Sequence, residues 1–313
     1  NIKTFLSSLV KKEDKVNNTV TIAKVSIIKV NLVLIKNMKV NNENSKLNYK
    51  LTPKQIQKYS RHIVMPQIGS IGQRKLLNSK ILIIGAGGLG SPVSMYLALA
   101  GIGEIGIIDM DSVEISNLQR QLLHTEKDIG LKKTQSAKNT LLTYNSDLKI
   151  KTFEYALSSE NALKVFADYD VIINGADNFP ARYLANDAAY FSKKPLVDGS
   201  ILLFEGQLST YQPNQGCYRC LFPNPPKPGE VPSCAEAGVL GMLPGIVGSI
   251  QATETVKLIL NIGENLTNKL LLIDALNMQF KTIKYRQNPD CVLCGQKPSV
   301  KELINYENFC GLQ

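Results

Sequence analysis

The residues able to do chemistry fall into a few short runs. Gly85-Ala86-Gly87-Gly88-Leu89-Gly90 follows the apolar run Lys80–Ile84 and opens a stretch rich in small residues. A glycine-spaced turn between a strand and a helix binds phosphate. Gly85 permits the tight turn, Gly87 lets backbone amides approach an anion, and Gly90 lets helix and strand pack closely. Asp109 lies 19 residues past Gly90, placed to accept hydrogen bonds from ribose hydroxyls. Taken alone, the pattern reads as nucleotide binding and leaves the nucleotide open, with an NAD enzyme as the default.

The residues beyond Asp109 narrow the choice. They run Glu114-Ile115-Ser116-Asn117-Leu118-Gln119-Arg120-Gln121. A dehydrogenase has no use for an arginine and two amides just past its ribose acid, whereas a site for ATP does. Arg120 can neutralise a triphosphate, and Asn117 and Gln119 can supply directional hydrogen bonds. Lys133, at the start of the next helix, adds a mobile point charge. Asn174-Gly175-Ala176-Asp177-Asn178 follows another strand, at the edge where open α/β sheets place ligands, and Asp177 could hold Mg²⁺. An NAD-dependent oxidoreductase leaves Arg120, Lys133 and Asp177-Asn178 unexplained.

Four of six cysteines form two pairs, Cys217-x-x-Cys220 and Cys291-x-x-Cys294. Each pair offers a two-thiolate bite, and two bites would close a tetrahedral zinc site with no open position, structural in character. Seventy residues separate the pairs, more than in common zinc fingers, so two redox pairs or unrelated buried thiols stand as the alternatives. Cys234 sits beside a proline-rich stretch, before Ala235-Glu236-Ala237-Gly238, and Cys310 reads as incidental. With only His62 and His124 in the chain, a mechanism needing several histidines is disfavoured.

These runs need a scaffold, and strand and helix patterns alternate from Lys50 onward. Strands read at Lys80–Ile84, Glu104–Asp109, Ile150–Ala156, Asp170–Asn174 and Leu196–Val197. Helices read at Ser91–Ala100, Leu131–Tyr144, Glu160–Ala167 and Pro180–Ser192. Such βαβ alternation predicts a Rossmann-like, doubly wound, mostly parallel sheet covered on both faces. After Ser200 the character changes: Ile201–Tyr211 and Met278–Arg286 read as antiparallel strands extending the sheet, and Ile246–Leu260 as a helix apolar along one side. Phe222–Pro232, with five prolines, reads as an irregular, mobile crossing segment.

At these motifs the chain resembles the ThiF/MoeB/HesA adenylyltransferases, relatives of ubiquitin-activating enzymes, and within them the molybdopterin-synthase type. The resemblance runs from about Leu51 to Gln296 and rests on five features in family order. They are the glycine loop, Ser116-Asn-Leu-Gln-Arg-Gln121, Asp177-Asn178, the two cysteine pairs, and Cys234-Ala-Glu-Ala-Gly238. It implies ATP contacts at Gly88, Asp109, Ser116, Asn117, Leu118, Gln119, Arg120, Lys133, Asp177 and Asn178, with Asp177 as magnesium and catalytic carboxylate. It implies that Arg61 enters the partner's site in a homodimer, and that Cys234 can take part in thioester formation or sulfur transfer. The implied activity is adenylation of the C-terminal Gly-Gly carboxylate of a ubiquitin-like sulfur carrier, the small subunit of molybdopterin synthase. Thiocarboxylation for molybdenum cofactor biosynthesis would follow. The siblings that activate thiamine-pathway or tRNA-thiolation carriers are the nearest alternatives.

The bulk properties remove other classes. Of the net charge of +10, residues 1–50 hold +7, with ten lysines against three acids. The body is nearly balanced, which withdraws the support for a nucleic-acid partner. Residues 1–50 read as a poorly ordered basic, Asn/Lys-rich extension, 51–296 as the adenylation domain, and 297–313 as a tail. In the extension the apolar stretch Val20–Val40 is interrupted by four lysines, too often for a membrane span. Six arginines against thirty lysines suggest an AT-rich genome, of an organelle, symbiont or parasite; the expected location is cytoplasmic, or the plastid stroma if the gene is organellar. Tyr306–Gly311 resembles the junction that leads into a rhodanese domain in some relatives. Sulfur is therefore expected from a donor in trans, unless the sequence lacks its end.

Overall fold

Lys80–Ile84 (β1) is exposed at its first residue and buried at the next four, the pattern of a strand covered on both faces. In this computed structural model, which describes residues 50–312 and at Cys234 and Ala235 the backbone only, β1 lies between two parallel neighbours. The strands are β2 (Glu104–Ile108), β3 (Lys149–Phe153), β4 (Val171–Asn174), β5 (Leu196–Leu202), β6 (Glu205–Tyr211), β7 (Lys269–Asp274) and β8 (Gln279–Lys284). Their order is β3-β2-β1-β4-β5-β6-β7-β8, parallel through β5 and antiparallel from β6 on. The chain reverses its winding between β1 and β4, the crevice where open sheets bind ligands.

Alternate residues of β1 serve opposite layers. Ile81 and Ile83 join a core with α3 (Gly69–Asn78), α4 (Gly90–Ala100), α5 (Lys133–Tyr144) and α10 (Leu243–Leu260). Leu82 and Ile84 join the other core, with α6 (Ala162–Ala167) and α7 (Phe179–Phe191). The remaining helices are short: α1 (Pro53–Lys58), α2 (Ser60–Ile63), α8 (Tyr218–Leu221), α9 (Cys234–Ala237) and α11 (Tyr306–Phe309). Residues 50–312 belong to one compact unit. The expected basic extension lies, apart from Lys50, outside the described residues.

The later half of the chain departs from its sequence pattern. The expected strand Ile201–Tyr211 is two: β5 runs on to Leu202, turns at Leu203 (φ +53°), and returns as β6. Strand β7 went unread because Leu266–Asp274 lacks polar alternation, five of the six strand residues being half-buried and Ile273 buried. Helix α10 is not apolar along one side only; it is covered almost all round, and Thr253 is its one exposed residue. It crosses α4 so closely that a Cβ on Gly248 would approach Pro92 Cγ to 2.6 Å.

Candidate active site

The sheet register brings three loops together. Ile84 pairs with Ile108 and with Asn174, so Gly85, Asp109 and Gly175 emerge side by side at the carboxyl edge. The ladder continues one step into them: Gly85 N–H donates to Ile108 O (2.9 Å) and Gly175 N–H to Ile84 O (2.8 Å). Gly85 takes φ +89°, a conformation costly for other residues. A Cβ on Gly90 would lie 1.9 Å from Gly85 O, so only glycine allows α4 to start against this turn. The three loops open into a cavity of about 1450 Å³.

Asp109 lies on the cavity wall and is committed to the loops beside it. Its Oδ2 accepts from Ala86 N–H and its Oδ1 from Asp111 N–H, both at 2.8 Å. Burial pushes its carboxyl above the usual range, against the pull of those two amides. Each oxygen keeps a second lone pair for a ribose hydroxyl. Lys133 opens α5 with its side chain mostly buried, and its ammonium meets Asp111 Oδ2 at 2.8 Å. Arg120 reaches the cavity while Nη1 donates to Ser116 O (3.0 Å). Both cations therefore line the same cavity as Gly87 and Gly88.

Of the run 116–121, Arg120 and Gln121 line the cavity; Ser116, Asn117, Leu118 and Gln119 do not. A 3₁₀ turn at Ile115–Asn117 uses these side chains for itself: Asn117 Oδ1 accepts from Glu114 N–H (3.1 Å), and Ser116 Oγ donates to Glu114 Oε2 (3.3 Å). Asp177 is exposed on the cavity rim. Asn178 lines the cavity too, but its Oδ1 caps α7, accepting from Ala181 N–H at 2.9 Å. Arg61 is exposed on α2 and is not on the cavity wall of its own chain.

Sequence reading missed what holds the Asp177 loop. Arg182, buried in the first turns of α7, donates from Nη1 to both oxygens of Asp198 (2.9 Å each) and from Nη2 to Ala176 O (3.1 Å). Asn174 Nδ2 donates to the same Asp198 (2.7 Å), and Gln251 Nε2 to Asn174 O (2.9 Å). Burial pushes the Asp198 carboxyl upward, and the Arg182 guanidinium counters it. No spacing signal marks this pair; buried charges survive because they meet in three dimensions.

The tail also reaches the site. Tyr306 Oη donates to Asp187 Oδ2 (2.9 Å), and Arg219 holds the same carboxylate through Nε and Nη2. The Arg219 guanidinium packs against the rings of both Tyr183 and Phe309, 4.9 and 4.6 Å from their centroids. Leu303, Ile304, Tyr306 and Cys310 form part of the cavity wall. Cys310, read as incidental, is buried in the core that includes Tyr183 and Tyr218, and burial pushes its thiol up to about 11.

The two cysteine pairs, distant in sequence, converge. Their four sulfurs all lie within 4.8 Å of one another, with Cys217–Cys291 at 3.7 Å and Cys220–Cys294 at 3.3 Å. A tetrahedron of thiolates about 2.3 Å from a metal spaces its sulfurs roughly 3.8 Å apart, so the set fits a metal ion. Asn288 N–H donates to Cys220 Sγ (3.4 Å), partly neutralising a thiolate. Cys234 begins α9; of its side chain nothing is described.

Known proteins resemble this chain in sequence and fold. The ThiF family pattern matches residues 59–293. A sulfur carrier protein adenylyltransferase of Thermus thermophilus is 47% identical over 268 residues, 84% of this chain and 99% of that one. The adenylyltransferase and sulfurtransferase MOCS3 of Culex quinquefasciatus is 48% identical over 266 residues, 84% of this chain but 61% of its own. The chain thus spans less than two thirds of that relative's length. The crystal structure of E. coli MccB with ATP superposes with a TM-score of 0.67 at 27% identity, over 76% of this chain and 74% of that one. With well over half its length matched and near-half identity to such relatives, the chain belongs to the ThiF family.

Proposed function

We propose that this protein uses ATP to adenylate the C-terminal Gly-Gly carboxylate of a ubiquitin-like sulfur carrier. One observation carries the reading: in a ThiF-family chain, the glycine loop, Asp109, Arg120, Lys133 and Asp177 line one cavity at the switch point of the sheet. The carrier carboxylate attacks the α-phosphorus in line, an O–P bond forms, and pyrophosphate leaves with the bonding electrons of the α–β bridge. A carboxylate is ionised at neutral pH, so no strong general base is needed. Positioning and charge neutralisation do the work.

In this reading the amides of Gly87 and Gly88, on the loop shaped by Gly85 and Gly90, meet the phosphates, Asp109 takes the ribose, and Arg120 and Lys133 balance the triphosphate. Lys133 exchanges Asp111 for phosphate as ATP enters. Asp177 would hold Mg²⁺, which would supply positive charge against the negative charge of the phosphates. Asn178 steadies the loop as a helix cap. Ser116, Asn117, Leu118 and Gln119 act from behind the wall by fixing the turn that presents Arg120. Zn²⁺ in the four-cysteine set is structural, tying α8 to the segment after β8. Arg61 acts across a homodimer, and the Cys234 thiolate attacks the carrier's acyl-adenylate carbonyl to form a thioester as AMP leaves, with sulfur supplied afterwards by a donor protein in trans.

The Thermus relative, matched almost end to end, favours a sulfur carrier as substrate. We assign the small subunit of molybdopterin synthase, with the thiamine-pathway and tRNA-thiolation carriers as the competing substrates. The test is carrier-dependent ATP–pyrophosphate exchange with each purified carrier, wild type beside Asp177→Ala. Exchange with a carrier bearing an intact Gly-Gly end, lost in Asp177→Ala, is the expected result. Zinc-loaded, folded protein that exchanges with no carrier would refute the assignment.

A further inference from the structure

His124 is buried, 5% exposed, just beyond the Arg120-Gln121 run, and it touches two parts of the site without lining the cavity. Its Nε2 lies 3.0 Å from Ala86 O, in the middle of the glycine loop. Its Nδ1 lies 2.8 Å from Ser136 Oγ, one turn into the helix that Lys133 opens. A carbonyl oxygen only accepts, so Nε2 carries the hydrogen. The charged groups that face the ring are Lys133, Asp128 and Asp109. Burial, and Lys133 in smaller measure, push the imidazole pKa down against the pull of the Ala86 carbonyl, and the Ser136 hydroxyl at Nδ1 also meets the Asp128 carboxylate.

The carbonyl of Ala86 and the N–H of Gly87 belong to one peptide group. In a planar trans peptide these two bonds point in opposite directions. Gly87 lies on the cavity wall, and among the described residues neither its N–H nor that of Gly88 has a partner in the protein. On the other side of Ala86, its N–H is held by Asp109. Because residue 87 is glycine, the Ala86–Gly87 peptide could rotate at little steric cost. One hydrogen bond from outside the loop opposes that rotation.

We infer that His124 is a positioning residue for ATP: by holding the Ala86 carbonyl it locks the Ala86–Gly87 peptide with the Gly87 N–H toward the phosphate site. The same ring, through Ser136, ties that peptide to the helix carrying Lys133, so amide and cation are set together. The inference rests on the phosphate-binding role proposed above.

Two isosteric variants separate positioning from packing. In His124→Gln the amide nitrogen occupies the place of Nε2 and can still donate to Ala86 O. In His124→Asn the amide ends at the place of Nδ1, can still meet Ser136, and cannot reach the loop. Titration with ATP alone, without carrier, should show His124→Asn weakened roughly tenfold or more and His124→Gln within about threefold of wild type. In pyrophosphate exchange the loss should fall on KM for ATP, with KM for the carrier unmoved. Thermal melting of both variants distinguishes this from general damage. Equal ATP affinity in the Asn and Gln variants, or losses that follow melting temperature instead of donor position, would overturn the inference. On unmutated protein, ¹⁵N chemical shifts of the imidazole should report hydrogen on Nε2, and a ring without hydrogen there would overturn it without any variant. Wild type that fails to bind ATP would sink the nucleotide reading itself. ATP binding without exchange would leave the role of His124 standing.

Discussion

The groups expected to meet ATP are held by groups that do not. Asp109 is oriented by Ala86 and Asp111 amides, Lys133 by Asp111, and the Asp177 loop by Arg182 and its partner Asp198. The Arg182–Asp198 pair is the clearest case, since both side chains are almost wholly buried. Replacing Arg182 with Met leaves a buried carboxylate with one remaining side-chain donor, Asn174. Removing one partner of such a pair costs about 3–5 kcal/mol, so Arg182→Met should lower the urea midpoint sharply. Replacing both Arg182 and Asp198 by apolar residues should recover part of that loss while leaving Ala176 O unheld. Urea denaturation of the single and double variants checks this, and equal midpoints would show that the pair contributes little.

At the scale of elements, the short helix α8 joins two structures that the sequence separates. It carries Cys217 at its N-cap, Cys220 within it, and Arg219 between them. Arg219 grips Asp187 on α7, and Asp187 in turn holds Tyr306 of the tail. Whatever fixes the cysteine turn therefore fixes one wall of the cavity. If the four-cysteine set holds a metal, removing it with a chelator should raise hydrogen exchange in residues 287–312 while β1, β2 and β4 keep their protection. Four unmetallated thiols in one pocket no longer anchor the loop, whereas the parallel sheet is supported by its own two cores. Mass-detected hydrogen exchange with and without chelator reads the difference directly; an unchanged tail would break the link between metal and wall. Read from sequence, residues 297–313 were only a tail, because Tyr306, Phe309 and Cys310 show no periodic pattern in so short a piece.

At the scale of the whole molecule, Arg61 poses the main question, for it stands outside the cavity of its own chain. Near it on α2 and the turn that follows, Val64 and Met65 are exposed, which suits a face covered by a second copy. If Arg61 completes the partner's site, Arg61→Ala and Asp177→Ala are each inactive alone. Mixed and reassembled, they should recover activity, because a mixed dimer has one site with both residues intact. Random pairing leaves about a quarter of all sites whole. Exchange assays on the separate variants and on the refolded mixture decide it, and absence of recovery in a verified mixed dimer would place Arg61 outside the reaction.

The sequence by itself determined the glycine loop, its strand and helix, the acid Asp109 at the end of β2, the Arg120 and Lys133 cations, and the Asp177 loop. These are local: each follows from the spacing of a few adjacent residues against a strand end, and the parallel register then aligns strand ends that were already recognisable. Tertiary structure alone decided that the cysteine pairs meet, that the tail walls the cavity, and that His124 holds Ala86. It also decided that Arg182, Asp187 and Arg219 are buried charges and not surface ones. These depend on contacts between residues 16 to 119 positions apart. A charge, thiol or imidazole is buried stably only where its partner arrives from elsewhere in the chain, and packing brings that partner without leaving any spacing signal in the sequence.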